Sequence, residues 1–127
     1  MTTEPLIYED IRDSNILTSH AIKRGRIHLQ PNQKFYWSTQ KKLDYLESLA
    51  VLLPVQHWIV QEDLRGHWHV LYGFEQYKAI EDLFTGWIQK TEKFQSHVES
   101  TYIDVKVIRP STPAWYVQEV LRRYLDA

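Results

Sequence analysis

The residues in this sequence most able to do chemistry are imidazoles. His67-Trp68-His69 puts two rings on one face of an extended segment, because side chains in a strand repeat every second residue. With His57 on a neighbouring strand they would offer three nitrogen donors of the kind that hold zinc. No carboxylate motif accompanies them. The favoured reading is therefore the polar side of a hairpin, with Trp58 and Trp68 packed on the other side and no metal bound. Ser14, Ser19 and His20, or Ser96 and His97, are close in sequence, but adjacency does not create a nucleophile and its base. The chain has no cysteine, which excludes disulfides, thiolate metal sites and cysteine nucleophiles. Its four glycines form no phosphate-cradling loop.

Charge and composition narrow the classes further. Lys plus Arg (15) nearly cancels Asp plus Glu (16), so no global field draws the chain to nucleic acid or an anionic membrane. The local run Lys23-Arg24-Gly25-Arg26 is the one basic feature that could meet nucleic acid. A solvated helix end explains it as well, since cations suit that end of the dipole. Hydrophobic residues make up 43% of the chain and charged residues 24%, which is enough apolar material for a core at 127 residues. Nothing approaches the roughly 18 apolar residues of a membrane span. Met1-Thr2-Thr3-Glu4-Pro5 lacks the apolar centre of a signal peptide. The expected location is the cytoplasm, without membrane association.

The elements that must position these side chains can be read from periodicity. Residues 1–12 carry Leu6, Ile7, Tyr8 and Ile11 among charges and suggest an edge strand. Asp13 or Ser14 is placed to cap a first helix bearing Ile16, Leu17, Ala21 and Ile22, ended by Gly25. Residues 26–30 alternate as a half-buried strand until Pro31. Residues 38–53 form an amphipathic helix: Ser38 caps it, Leu43, Leu46, Leu49, Ala50 and Leu53 recur at helical spacing, and Pro54 stops it. Two strands, 56–61 and 67–72, flank a polar, glycine-containing link at 62–66. A helix starts after Gly73 with Phe74, Tyr77, Ile80, Leu83 and Phe84 inward, closed by Gly86. Residues 88–100 show no clear period and read as a connection. Residues 101–108 alternate strictly, and Thr112-Pro113 opens a last helix burying Val117, Val120, Leu121, Tyr124 and Leu125. This mixed order, with about four helices and a small mixed sheet, predicts an α+β fold in a single domain spanning 1–127.

Two separated motifs then carry a resemblance. The first is Gln30-Pro31-Asn32-Gln33-Lys34-Phe35-Tyr36-Trp37-Ser38, ahead of the leucine-rich helix. The second is Val70-Leu71-Tyr72-Gly73-Phe74-Glu75-Gln76-Tyr77-Lys78, where the hairpin runs into the next helix. Their order and spacing resemble the N-terminal domain of GmrSD-type modification-dependent restriction proteins, in the ParB/sulfiredoxin-like superfamily. That family pattern is Pro-x-x-Gln-Arg-x-x-x-Trp, a helix, a proline, a hairpin and then Asp-Gly-Gln-Gln-Arg. The likeness covers roughly residues 12–125. It implies a nucleotide-binding and nucleotide-hydrolysing module, with nucleotide and magnesium as the possible cofactors and both motifs meeting at one cleft. The cleft residues carried over are Gln33, Lys34, Gly73, Glu75 and Gln76.

The departures from the family pattern decide what is expected of that cleft. Pro31, Gln33, Trp37 and Gly73 are kept, but Lys34 replaces an arginine, Tyr72 the aspartate, Phe74 and Glu75 the glutamines, and Gln76 the second arginine. Losing a carboxylate removes a group able to hold a metal or orient water. Losing arginine removes a permanent charge and a phosphate-matching fork. Phosphoryl transfer rests on positioning and charge neutralisation, so hydrolysis is expected to fail. No catalytic residue is therefore assigned. The resemblance then implies a catalytically degenerate binding or regulatory module in a bacterial or phage setting, linked to DNA transactions or defence. Active relatives carry a further C-terminal nuclease region, and none is expected here. Two alternatives stand beside it: a divergent NTPase using Lys34 and Glu75, and a nucleic-acid binder using Lys23, Arg24 and Arg26. Tyr36, Trp37, Trp87 and Trp115 are the aromatics not easily placed in a core, and they are the candidates for a protein interface.

Overall fold

The computed structural model describes residues 11–23 and 25–125. Its elements are β1 (Ile11–Leu17), α1 (Thr18–Lys23), β2 (Ile27–His28), α2 (Thr39–Ala50), β3 (Trp58–Glu62), β4 (Trp68–Tyr72), α3 (Phe74–Phe84), α4 (Glu92–Glu99), β5 (Tyr102–Ile108) and α5 (Ala114–Leu125). The five strands form one sheet in the order β1-β5-β3-β4-β2. β1 runs antiparallel to β5, and β3 antiparallel to β4; β3 is parallel to β5, and β2 parallel to β4. The fold is α+β with a mixed sheet, as the element order predicts. No helix among the described residues is long and apolar enough to cross a membrane.

Strand alternation distributes the core between two layers. Trp58, Val60, Trp68, Val70, Ile103, Val105 and Val107 point to one side, where α1 to α4 lay Ala21, Leu46, Leu49, Ala79, Ile80, Leu83 and Val98 against them. Ile59 and Ile108 point to the other side, where α5 covers them with Tyr116, Val117 and Val120. A strand buried on both faces reads as a continuous apolar run. Trp58-Ile59-Val60, at the middle of the sheet, is that run.

Three sequence expectations need correction. Residues 14–17 are not helical: they extend β1, which pairs residue for residue with β5 from Ile11↔Ile108 to Leu17↔Tyr102. The helix starts only at Thr18, whose backbone N–H and hydroxyl both donate to the Thr101 carbonyl, at 2.9 and 2.7 Å. Long-range pairing there outweighs the local capping signal. Residues 88–100 are more than a connection, because they contain α4, capped by Thr91, which accepts from the Phe94 N–H. Eight residues are too few to show a period, yet Val98 is fully buried. The strand expected over 26–30 shrinks to Ile27–His28. The edge strand expected over 1–12 lies outside the described residues, apart from Ile11 and Arg12, which open β1.

Candidate functional site

The segment 31–38 has no helix or strand of its own and is fixed by what surrounds it. A turn starts it, with Gln33 N–H donating to the Gln30 carbonyl at 3.1 Å. Trp37 is half-buried, edge-on to Tyr45 of α2 with ring centroids 5.9 Å apart. The Lys41 ammonium lies 5.1 Å from the Trp37 ring centre, close enough for a cation–π attraction. Ser38 then caps α2 by accepting from the Lys41 N–H at 3.2 Å. Phe35 and Tyr36 project between these anchors, and Tyr36 is 79% exposed.

The second motif meets this segment through one side chain. Gly73 precedes α3 and takes a φ of 121°, which L side chains rarely adopt. The turn brings Glu75 under the first segment, where Oε1 accepts from the Tyr36 N–H at 2.5 Å and Oε2 from the Trp37 N–H at 3.0 Å. Glu75 is only 8% exposed. A buried carboxylate persists only when it is hydrogen-bonded or paired, and here two consecutive backbone amides satisfy it.

The remaining candidates turn to other partners. Gln33 donates its side-chain amide to the Lys34 carbonyl at 3.1 Å, and the Lys34 side chain is exposed. Gln76 is buried and donates to the Tyr72 hydroxyl at 3.2 Å. Tyr72 itself packs into the apolar cluster beneath α5. Two positions where the resembled family has aspartate and arginine thus hold a neutral pair bonded to each other. The two motifs meet, but Gln33, Lys34, Glu75 and Gln76 share no common hydrogen-bonded centre.

Cations and carboxylates on α2 and α3 complete the neighbourhood. Asp82, buried, accepts from Lys42 at 2.7 Å and pairs with Lys78 at 3.2 Å. Lys78 also reaches Glu81 at 3.1 Å and lies 5.8 Å from the Phe35 ring centre. Burial acts to lower the Lys78 pKa, but the carboxylates of Glu81 and Asp82 outweigh it and the net displacement is upward. On the core side, burial pushes the Tyr45 hydroxyl well above its ordinary pKa while it accepts from Trp58 Nε1 at 3.3 Å.

The other sequence candidates are scattered. Trp87, 83% exposed, stands in the turn after α3, and Trp115 is exposed on α5, beyond the opposite face of the sheet. Arg26 is held at the end of β4: it donates to the Gly66 carbonyl at 2.8 Å, reaches Glu62 at 3.4 Å and lies 4.3 Å from the Trp68 ring centre. Lys23 sits 5.8 Å from the Phe84 ring centre, and Arg24 lies outside the described residues.

The histidine grouping differs from the one the sequence suggests. His57 faces Asp104 at 3.8 Å, on the α5 side of the sheet. His28 takes the place imagined for it, stacking on His67 and on His69. Sequence reasoning missed His28 because the parallel pairing of β2 with β4 leaves no local signal. Among the described residues no three histidine, aspartate or glutamate side chains are arranged to hold a metal. No protein-family model matches the chain, and no curated protein matches it.

Proposed function

We propose that this chain is a catalytically degenerate, nucleotide-binding-type domain of ParB/sulfiredoxin-like descent that acts as a binding or regulatory module. Its recognition element would be the segment 31–38, presenting Lys34, Phe35 and Tyr36. The observation that carries this reading is the Glu75 carboxylate seated on the Tyr36 and Trp37 amides. Two successive N–H groups aimed at one point are what an anion seeks, and here a tethered internal anion already occupies them. A phosphate approaching within about 4 Å of that carboxylate meets a repulsion of about 4 kcal/mol at an effective dielectric of 20. The bonded pair Tyr72–Gln76 supports the same reading, because it supplies neither a metal ligand nor a permanent cation. The proposed setting is the cytoplasm of a bacterium or an infecting phage's host, in DNA transactions or defence.

Thermal unfolding with ATP or GTP, with and without magnesium, tests the proposal. The expected result is no saturable stabilisation and no metal-dependent phosphate release. Saturable stabilisation abolished by Lys34→Ala would instead favour a divergent NTPase, and metal-dependent phosphate release would then establish hydrolysis. Nucleic-acid affinity that falls steeply with salt would favour the basic-run alternative, although the contacts of Arg26 with Glu62, Gly66 and Trp68 leave that side chain little freedom.

A further inference from the structure

The last turn of α2 is closed by three backbone bonds. Val51 N–H donates to the Glu47 carbonyl at 3.1 Å, Leu52 N–H to the Leu49 carbonyl at 3.2 Å and Leu53 N–H to the Ser48 carbonyl at 2.9 Å. This is the pattern of a Schellman cap, in which the residue just past the helix end is left-handed and is usually glycine. Here that residue is Leu52, with a φ of 61°, the one non-glycine of positive φ among the described residues. A left-handed leucine is strained, because its β-carbon crowds the following carbonyl oxygen. The fold itself recovers little from it, since Leu52 is 76% exposed. Such caps are often joined by an apolar contact from the next residue back to the helix. That contact would put Leu53 against Ser48, which is polar, and Leu53 is more than half exposed. Strain held at an exposed apolar residue points to a use outside the monomer.

Beside this helix end lies an open groove of about 380 Å³ between α2 and α4. Ala50 and Val51 line it from the end of α2, and Phe94 and His97 from α4. Val51 also belongs to the exposed run with Leu52 and Leu53, so run and groove are continuous. A contiguous apolar surface of this kind marks an interaction site. The charges on its two walls are opposite: Glu47 stands on α2 and Lys93 on α4. Lys90 comes no nearer to Glu47 than 3.8 Å, and the Glu47 side chain stays more than half exposed.

We propose that this surface pairs with a second copy of the chain, about a two-fold axis that runs along the groove. Such an axis sets the α2 wall of each copy against the α4 wall of the other. Glu47 then faces Lys93 of the second copy, twice over, and Leu52 of each copy comes to rest on the opposing α4 wall. An axis across the groove would instead set Glu47 against Glu47 and Lys93 against Lys93. The opposite charges of the walls thus favour both the occupant and its orientation. A net charge of −1 leaves little general repulsion between copies. The interface does not rest on the binding role of segment 31–38. The two lie at opposite ends of the 12-residue α2, about 18 Å apart along its axis, so pairing leaves that segment open.

Sedimentation of the full chain over a range of concentrations tests the pairing. Wild type should pass from monomer to dimer as concentration rises through roughly the micromolar range. Leu52→Gly should weaken the dimer by at least about tenfold. Its urea midpoint, read below the concentration of dimerisation, should not fall, because glycine accepts the left-handed turn without strain. Lost pairing could then not be put down to lost folding. Glu47→Lys should also weaken the dimer, and adding Lys93→Glu should restore it. A chain that stays monomeric would leave the surface to another occupant and overturn the proposal. So would a dimer that Leu52→Gly leaves intact, or a charge reversal that the second substitution does not rescue.

Discussion

Gly73 lies directly against the indole of Trp58: a β-carbon built on it would fall 2.7 Å from Trp58 Cγ and 3.0 Å from Cδ1 and Cδ2. Trp58 is fully buried at the centre of the sheet and cannot retreat without disturbing the core layer beneath α1 to α4. The glycine that opens α3 is thus required twice, by its φ of 121° and by its neighbour. Gly73→Ala is expected to cost about 2–4 kcal/mol, combining backbone strain with overpacking. Urea unfolding measures it, and a loss below about 1 kcal/mol would mean that the indole shifts freely.

Glu75 should behave as a structural clamp. Glu75→Ala leaves the Tyr36 and Trp37 amides without their acceptor and is expected to cost about 3 kcal/mol, since hydrogen bonds to charged groups exceed the ordinary kind. Exchange of those two amides should accelerate before global unfolding does. If stability is unchanged and both amides stay protected, segment 31–38 is held by Trp37 packing alone.

The Lys42–Asp82 pair should matter more than Lys78–Asp82. Both members of the first pair are largely buried, whereas Lys78 is more exposed and divides its charge between Glu81 and Asp82. Lys42→Met is expected to cost about 1–2 kcal/mol and Lys78→Met under about 1 kcal/mol, in line with the weakness of exposed pairs. Denaturant midpoints of the two variants decide the order, and the reverse order would refute the assignment.

The hairpin tip should loosen in acid. The hydrogen bond from His69 is the largest influence on Asp63, and with the backbone N–H groups of His67 and Arg65 it holds that carboxyl at about 2, below its ordinary 3.8. A depressed carboxyl pKa contributes stability that is fully present above the unfolded value and is lost as pH falls through the folded one. The window therefore runs from about pH 4 down to pH 2. Carboxyl carbon chemical shifts should follow Asp63 titrating there. In His69→Gln the midpoint should move up towards the ordinary value, and an unmoved midpoint would exclude the His69 contact as its cause.

The sequence by itself determined most of the local structure. Leucine spacing and Ser38 defined α2, the Thr112-Pro113 start defined α5, aromatic and β-branched content marked β3 and β4, and alternation defined β5, because these signals lie within one element and depend on nearest neighbours. It also marked the motifs around Gln33 and Gly73 as worth attention. What the tertiary structure alone decided lies between distant segments. Residues 14–17 became strand because β5 offered seven pairing partners, at a separation no local signal reports. Glu75, carried over in the sequence as a residue of the candidate nucleotide cleft, turned inward to the Tyr36 and Trp37 amides. His28 joined His67 and His69 because β2 lies parallel to β4. Periodicity tells a side chain which face to take, but only the packed sheet tells it which neighbour it will find there.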